Sequence, residues 1–151
     1  MRTVIQRVAH ARVLVGENVV GEIGHGFLLL VGVAEGDGIG DADTTVRKIS
    51  ELRVFPDGEG QMNRSISDAG GSILVVSQFT LLADVRRGRR PSFARAAKPE
   101  IAEPLIGVVC AALEERGLPV EKGSFGANMQ VELVNDGPVS IILDVVNGQV
   151  V

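Results

Sequence analysis

Two hydroxyls and a carboxamide, those of Ser77, Gln78 and Thr80, follow directly on the apolar run Ile73-Leu74-Val75-Val76. A β-branched and leucine run bounded upstream by Gly70-Gly71 reads as a buried strand, so these polar residues sit at its exit, where packing has no use for them. A serine or threonine there is a candidate nucleophile only if a base activates it. The chain has just two histidines, His10 and His25, both beside turns and neither near Ser77 in sequence. The competing reading is structural: a strand end whose polar groups bond the backbone and whose Phe79 fills the core.

A second stretch, Asn135-Asp136-Gly137-Pro138-Val139-Ser140, joins two apolar runs near the C-terminus. Asp-Gly and Gly-Pro are turn dipeptides. The sharper alternative is a fixed, cis peptide that aims its carbonyls at a ligand, because only an X-Pro bond reaches cis at low cost. Arg7 is a candidate to hold that turn through its carbonyls, or else a surface charge on an edge strand.

Composition narrows the chemistry. One cysteine, Cys110, forms no internal disulfide, and with two histidines it offers no recognisable metal-ligand spacing, so neither a metal nor an organic cofactor is expected. Cys110 shares an apolar side with Ile106 and Leu113 and reads as packing. The net charge of -4 argues against bulk attraction to nucleic acid, yet the segment between Val85 and Pro99 holds six cations (Arg86, Arg87, Arg89, Arg90, Arg95 and Lys98) and no acid. A local basic patch of that kind fits one end of a polyanion. The mean hydropathy is +0.24, and no long uncharged apolar run or signal peptide is visible. A cytoplasmic protein without a membrane segment is expected.

At 151 residues the chain is expected to form a single domain, 1–151. Residues 3–8 alternate loosely, and Arg12–Val15 with Val19–Ile23 suggests a hairpin around Gly16-Glu17-Asn18. The continuous run Phe27–Val33 suggests a strand buried on both faces. Val46, Ile49 and Leu52 recur at helical spacing, predicting a helix over 41–52 capped by Asp41 or Asp43. Met62–Ala69 reads as an irregular connection, and 85–98, with Gly88 and Pro91, as a loop. A second helix over 99–116 begins at Pro99 and stops before Gly117. Its predicted inward face is Ile101, Leu105, Val108 and Ala112; Pro104, one turn inside, should bend it. Met129–Val134 and Val139–Val146 complete the chain as two strands linked by the Asn-Asp-Gly-Pro turn. The order suggests an α+β fold, two helices on a curved, mainly antiparallel sheet or partly closed β-barrel.

Taken together, Ser77-Gln78-Phe79-Thr80-Leu81, Arg90-Pro91-Ser92-Phe93 and Asn135-Asp136-Gly137-Pro138-Val139, with the opening Ile5-Gln6-Arg7-Val8, closely resemble the D-aminoacyl-tRNA deacylases. The likeness extends through Gly21-Glu22-Ile23-Gly24, Met62-Asn63 and Gly70-Gly71. It implies the fold of that family, and hydrolysis of the ester joining a D-amino acid, or glycine on the wrong tRNA, to the terminal adenosine. It also implies a homodimer with the active site at the interface. Ser77, Gln78, Phe79 and Thr80 would form one wall. Gly137 and Pro138 of the other subunit, cis in the family, would use two carbonyls to hold the substrate's amino group so that an L side chain collides.

By the same resemblance, Arg7 matches the arginine that fixes the turn, Phe125 and Met129 match residues near the adenine, and Ala102 a small residue lining the pocket. Arg86, Arg87, Arg89 and Arg90 would meet phosphates of the acceptor end. No base is needed if backbone N–H groups near Phe79 and Thr80 form an oxyanion site and the neighbouring 2′-hydroxyl assists water. The family turn usually carries threonine where this chain has Ser140. A non-catalytic binder of aminoacyl-tRNA, or of a small adenylated ligand, is the alternative from another functional class.

Overall fold

The computed structural model describes residues 1–151. Three strands come first: β1 (Arg2–Val15), β2 (Asn18–Ile23) and β3 (Gly26–Gly32). Then follow α1 (Ile39–Glu51), the short pair β4 (Phe55–Pro56) and β5 (Met62–Arg64), α2 (Ile66–Ala69) and β6 (Ser72–Ser77). A 3₁₀ turn (Phe79–Leu82), α3 (Pro99–Glu115), β7 (Val120–Lys122), β8 (Gln130–Val146) and β9 (Gln149–Val150) complete the chain. The main sheet runs β7-β6-β3-β1-β8-β9, with β2 added to β1. β1 is antiparallel to β2, β3 and β8, whereas β3, β6 and β7 run parallel. This is the mainly antiparallel α+β architecture expected, as an open sheet rather than a barrel.

β1 organises the sheet. One of its edges carries β8 from Arg2 to Leu14; the other carries β3 along Arg2–Val8 and then β2 along Ala11–Val15. Residues 3–8 and 12–15, read separately from sequence, are thus one continuous strand. The curl leaves two cores. α1 and α3 cover the larger, around Ile5, Phe27, Leu29, Val31, Ile49, Ile73, Val75 and Leu113. A smaller cluster on the other face joins Val8, Val13, Ile23, Leu28, Leu74 and Val76. Except for Leu30, every residue of β3 is buried, as its unbroken apolar run requires, each large side chain contributing about 1.5–3 kcal/mol.

β3 and β6 approach so closely that only glycine fits at Gly26, where φ is +151° and an added Cβ would lie 1.8 Å from the Ser72 carbonyl oxygen. Asp41 caps α1 from inside its first turn. Its carboxylate accepts the Gly38 N–H at 2.9 Å and the Gly148 N–H at 2.9 Å, tying the C-terminal hairpin to the helix. Burial alone would raise its pKa, but these two N–H donors outweigh it and the carboxyl titrates below its ordinary range.

Several local expectations need correction. Met62–Ala69 is not irregular: it holds β5 and α2, the latter started by a capping box in which Ser65 and Asp68 satisfy each other's N–H groups. The buried face of α3 is Val109, Cys110 and Leu113, while Ile101 is exposed, so the inward stripe is rotated from the one predicted. The largest difference concerns residues 129–146. The two halves do not form a hairpin, since both pair with β1 in the same direction, Val8 opposite Asn135 and Gln6 opposite Ser140. Residues 136–139 are therefore an outward excursion of one strand, standing opposite the single residue Arg7.

Candidate active site

β6 hydrogen-bonds alongside β3 with Val31 opposite Ser77, and the Gln78 N–H closes the ladder on the Val31 carbonyl at 2.8 Å. Directly beyond, the chain tightens into the 3₁₀ turn, whose first N–H groups, those of Phe79 and Thr80, have no partner within the turn. Gln78 Nε2 donates to Thr80 Oγ1, so the carboxamide and hydroxyl are engaged with each other. Phe79 does not fill the core, contrary to the structural reading: it is 56 % exposed and meets Phe93 edge to face, ring centres 5.0 Å apart. Its partner lies on the arginine-rich loop, which bends back to place an aromatic beside the strand exit.

A cavity of about 340 Å³ opens at this strand end, walled by Val31, Val33, Ser77, Phe79, Phe93, Ala102, Ile106 and Phe125. Its lining is mainly apolar and includes no carboxylate, imidazole or amine. Three rings and a small Ala102 make a space suited to a flat aromatic group, on which a ring can stack. Met129 does not line it: it packs against the smaller core cluster and takes the Ser124 N–H on its sulfur at 3.3 Å. Neither histidine reaches the cavity. His25 bonds the Ala69 carbonyl at 2.9 Å, beside the opposite end of β3, and His10 lies on β1 across from Val134.

The second predicted wall is elsewhere in the chain. The Gly137–Pro138 peptide is cis, and Gly137 has φ +144°, where an added Cβ would fall 2.8 Å from Val139 Cγ2 and 2.9 Å from Val139 N. Arg7 reaches this excursion from β1. Its Nε donates to the Asp136 carbonyl at 2.9 Å and its Nη1 to the Val54 carbonyl at 2.5 Å, with the side chain only 11 % exposed. Arg7 pairs with Phe27, at the start of β3, whereas the cavity is built on Val31 and Val33 near its end. At about 3.3 Å per residue this separates the two walls by about 13–20 Å along one strand. Ser77, Phe79, Ala102 and Phe125 converge on the cavity; Gly137, Pro138 and Arg7 do not.

The basic segment is also more structured than a run of free cations. Asp84, one residue outside that acid-free window, accepts from Arg86 Nη2 at 2.5 Å and Nε at 2.9 Å, and from its backbone N–H at 3.0 Å. The Arg86 guanidinium thereby holds the Asp84 carboxyl well below the usual carboxylate range. Arg87, Arg89 and Arg90 make no ion pair and are exposed. What sequence reasoning passed over is Asn135, whose side chain lies under the excursion; its Asx position before Asp-Gly-Pro was the available sign.

The family model described as D-Tyr-tRNA(Tyr) deacylase matches residues 4–144. A D-aminoacyl-tRNA deacylase of Symbiobacterium thermophilum is 57% identical over 144 residues, 95% of either chain. A solved structure described as a c-Myc DNA unwinding element binding protein superposes with a TM-score of 0.90 at 40% identity, covering 96% of this chain and 99% of that one. Another, described as a probable eukaryotic D-amino acid tRNA deacylase, shares the fold with a TM-score of 0.79 at 18% identity, covering 95% and 98%.

Proposed function

The chain belongs to the D-Tyr-tRNA(Tyr) deacylase family, and from that premise we propose that it is an ester hydrolase that removes D-amino acids, and glycine, from mischarged tRNA in the cytoplasm. The observation that carries the mechanism is the lining of the cavity at the end of β6, which holds aromatic rings and Ser77 but no side-chain base. An aminoacyl ester is already activated by its ribose. Catalysis then needs positioning and charge stabilisation, worth several kcal/mol each, more than it needs a nucleophile. The terminal adenine stacks among Phe79, Phe93 and Phe125, with Ala102 leaving it room. The N–H groups of Phe79 and Thr80 face the developing oxyanion, and the adenosine 2′-hydroxyl directs water. Thr80, bonded by Gln78 and without a base, is not the nucleophile. Arg87, Arg89 and Arg90 are the cations left to meet acceptor-end phosphates.

A working site requires a second copy of the chain. Within one protomer the Gly137–Pro138 excursion and the cavity stand at opposite ends of β3. Between them, on the face away from the helices, Val4 pairs with Leu30 on one side and Ile142 on the other, and Ile142 is 67 % exposed. A two-fold axis through this apolar patch exchanges the two ends of the sheet and carries each excursion to the partner's cavity. There the Gly137 and Pro138 carbonyls receive the substrate's ammonium group, and an L side chain has no room.

Incubating the chelated, metal-free protein with D-tyrosyl-tRNA and L-tyrosyl-tRNA tests this reading. Release of D-tyrosine alone is expected. Equal release of both, release of neither, or a monomeric mass by light scattering in the assay would overturn it.

A further inference from the structure

The excursion at residues 136–139 is fastened at both feet, and only one fastening is Arg7. The other is the side chain of Asn135, on the strand immediately before it. Asn135 Oδ1 accepts the Val139 N–H at 2.7 Å, and Nδ2 donates back to the Val139 carbonyl at 3.1 Å. One carboxamide thus meets both backbone groups of Val139 as a neighbouring strand would. Its orientation is fixed, because the atom facing an N–H must be the oxygen. Nδ2 also contacts Gln6 Oε1 at 3.2 Å and Ser140 Oγ at 3.1 Å, anchoring the amide to β1 and to the strand beyond the excursion.

These contacts divide the carbonyls of the excursion. That of Asp136 is taken by Arg7 and that of Val139 by Asn135, whereas Gly137 and Pro138 have no ladder partner on β1. Resting on the reading given under the proposed function, we propose that Asn135 is a positioning residue for chiral discrimination. It closes the foot of the excursion so that the Gly137 and Pro138 carbonyls converge on one ammonium group. Gln6 and Ser140 act through it by holding the amide. A donor and an acceptor on a short stem are both required, which singles out asparagine among the side chains of this size.

The experiment compares full-length wild type with Asn135→Asp and Asn135→Ala, measuring kcat/KM for D-tyrosyl-tRNA and L-tyrosyl-tRNA well below each variant's melting temperature. Asp keeps the acceptor for the Val139 N–H and loses the donor to its carbonyl; Ala loses both. The D over L ratio should fall in the order wild type, Asp, Ala, by at least about tenfold for Ala, a change of about 1.4 kcal/mol in relative barrier. Ser140→Ala, which removes only one of three acceptors of Nδ2, should change the ratio by a few-fold at most. A merely structural role would lower melting temperature and both rates together without moving the ratio. If Ala does not fold, the near-isosteric Asp variant decides. Folded variants that keep the wild-type ratio overturn the proposal. A wild-type protein that is inactive on both substrates overturns the functional reading first.

Discussion

Replacing Arg7 by Met tests whether the Gly137–Pro138 excursion is held in place or merely formed. The side chain is 11 % exposed and makes two bonds to carbonyls, at 2.5 Å to Val54 and at 2.9 Å to Asp136. Charge-assisted bonds of this kind contribute about 1.5–3 kcal/mol each. At Asp136, whose own side chain is 60 % exposed, water can take the place of the guanidinium, so that bond is discounted heavily. The Val54 carbonyl is partly buried and keeps nearly its full cost. Methionine retains the packing of the stem, and the expected loss is therefore about 2–3 kcal/mol. For a chain of this length that lowers the melting temperature by about 4–12 °C. If half of the loss is positional energy of the excursion, discrimination of D- from L-tyrosyl-tRNA falls by about tenfold. Arg7→Lys keeps the charge but reaches only one carbonyl from its point-like ammonium, and should lie between. Thermal melts by circular dichroism and paired deacylation assays give both readouts. A Met variant that melts with wild type and retains its D over L ratio would refute the reasoning.

Other consequences are as direct. Thr80→Ala should leave deacylation near the wild-type rate; complete loss in a folded variant would make the threonine hydroxyl the nucleophile after all. Arg2 donates to Asp144 at 2.7 and 2.8 Å, and this hydrogen bonding, against a smaller opposing effect of burial, lowers the Asp144 pKa below 3.8. The depressed carboxyl stabilises the fold fully above its unfolded pKa and loses that contribution as pH falls through its folded value. Asp144→Asn should therefore lower stability in urea at about pH 6, with wild type and variant converging as pH falls through the folded-state pKa of Asp144; a gap that stays constant with pH would contradict the linkage. Thr3 is fully buried, its hydroxyl has no partner, and its neighbours on the ladder are Val31 and Leu143. Thr3→Val should raise stability by about 1–3 kcal/mol, and a lower melting temperature would show that the hydroxyl is satisfied.

How much of this was legible in the sequence depended on the range of the interaction. Local periodicity placed α1 and α3 to within about two residues at each end, the precision such boundaries allow, and the unbroken apolar run of β3 marked the centre of the sheet. The Asn-Asp-Gly-Pro stretch misled because turn chemistry says that a chain bends, not that it reverses. Whether residues 130–134 pair with 140–146 or both pair with β1 is decided by a strand at the far end of the chain. Phe79 looked like a core residue because its partner Phe93 comes from a loop without periodicity. Arg86 looked free because its acid, Asp84, stands just before that loop. Asn135 lies within the motif, but only the fold shows that its amide closes on Val139.

The location of the cavity follows from topology rather than from the motif that marks it. Of the strand neighbours in the main sheet, only β3, β6 and β7 run parallel. Parallel strands need crossovers, and their carboxyl ends, where the chain departs into loops and helices, leave a crevice that side chains do not fill. The end of β3 supplies Val31 and the residue just beyond it Val33, β6 ends in Ser77, and the segment after β7 brings Phe125; these are among the residues around the cavity. In the antiparallel half, the long β1–β8 ladder can expel residues 136–139 at the cost of a register shift, since pairing resumes at Ser140. One half of the sheet thus carries a mainly apolar pocket, and the other an excursion with a cis Gly137–Pro138 peptide tied down by Arg7. They lie at opposite ends because Arg7, which holds the excursion, pairs with Phe27 at the start of β3, whereas the cavity opens beside Val31 at its end. Under the proposed function, a second copy related by rotation about the middle of that shared ladder would bring pocket and carbonyls together, and chiral selectivity and dimerisation would then stand or fall as one property.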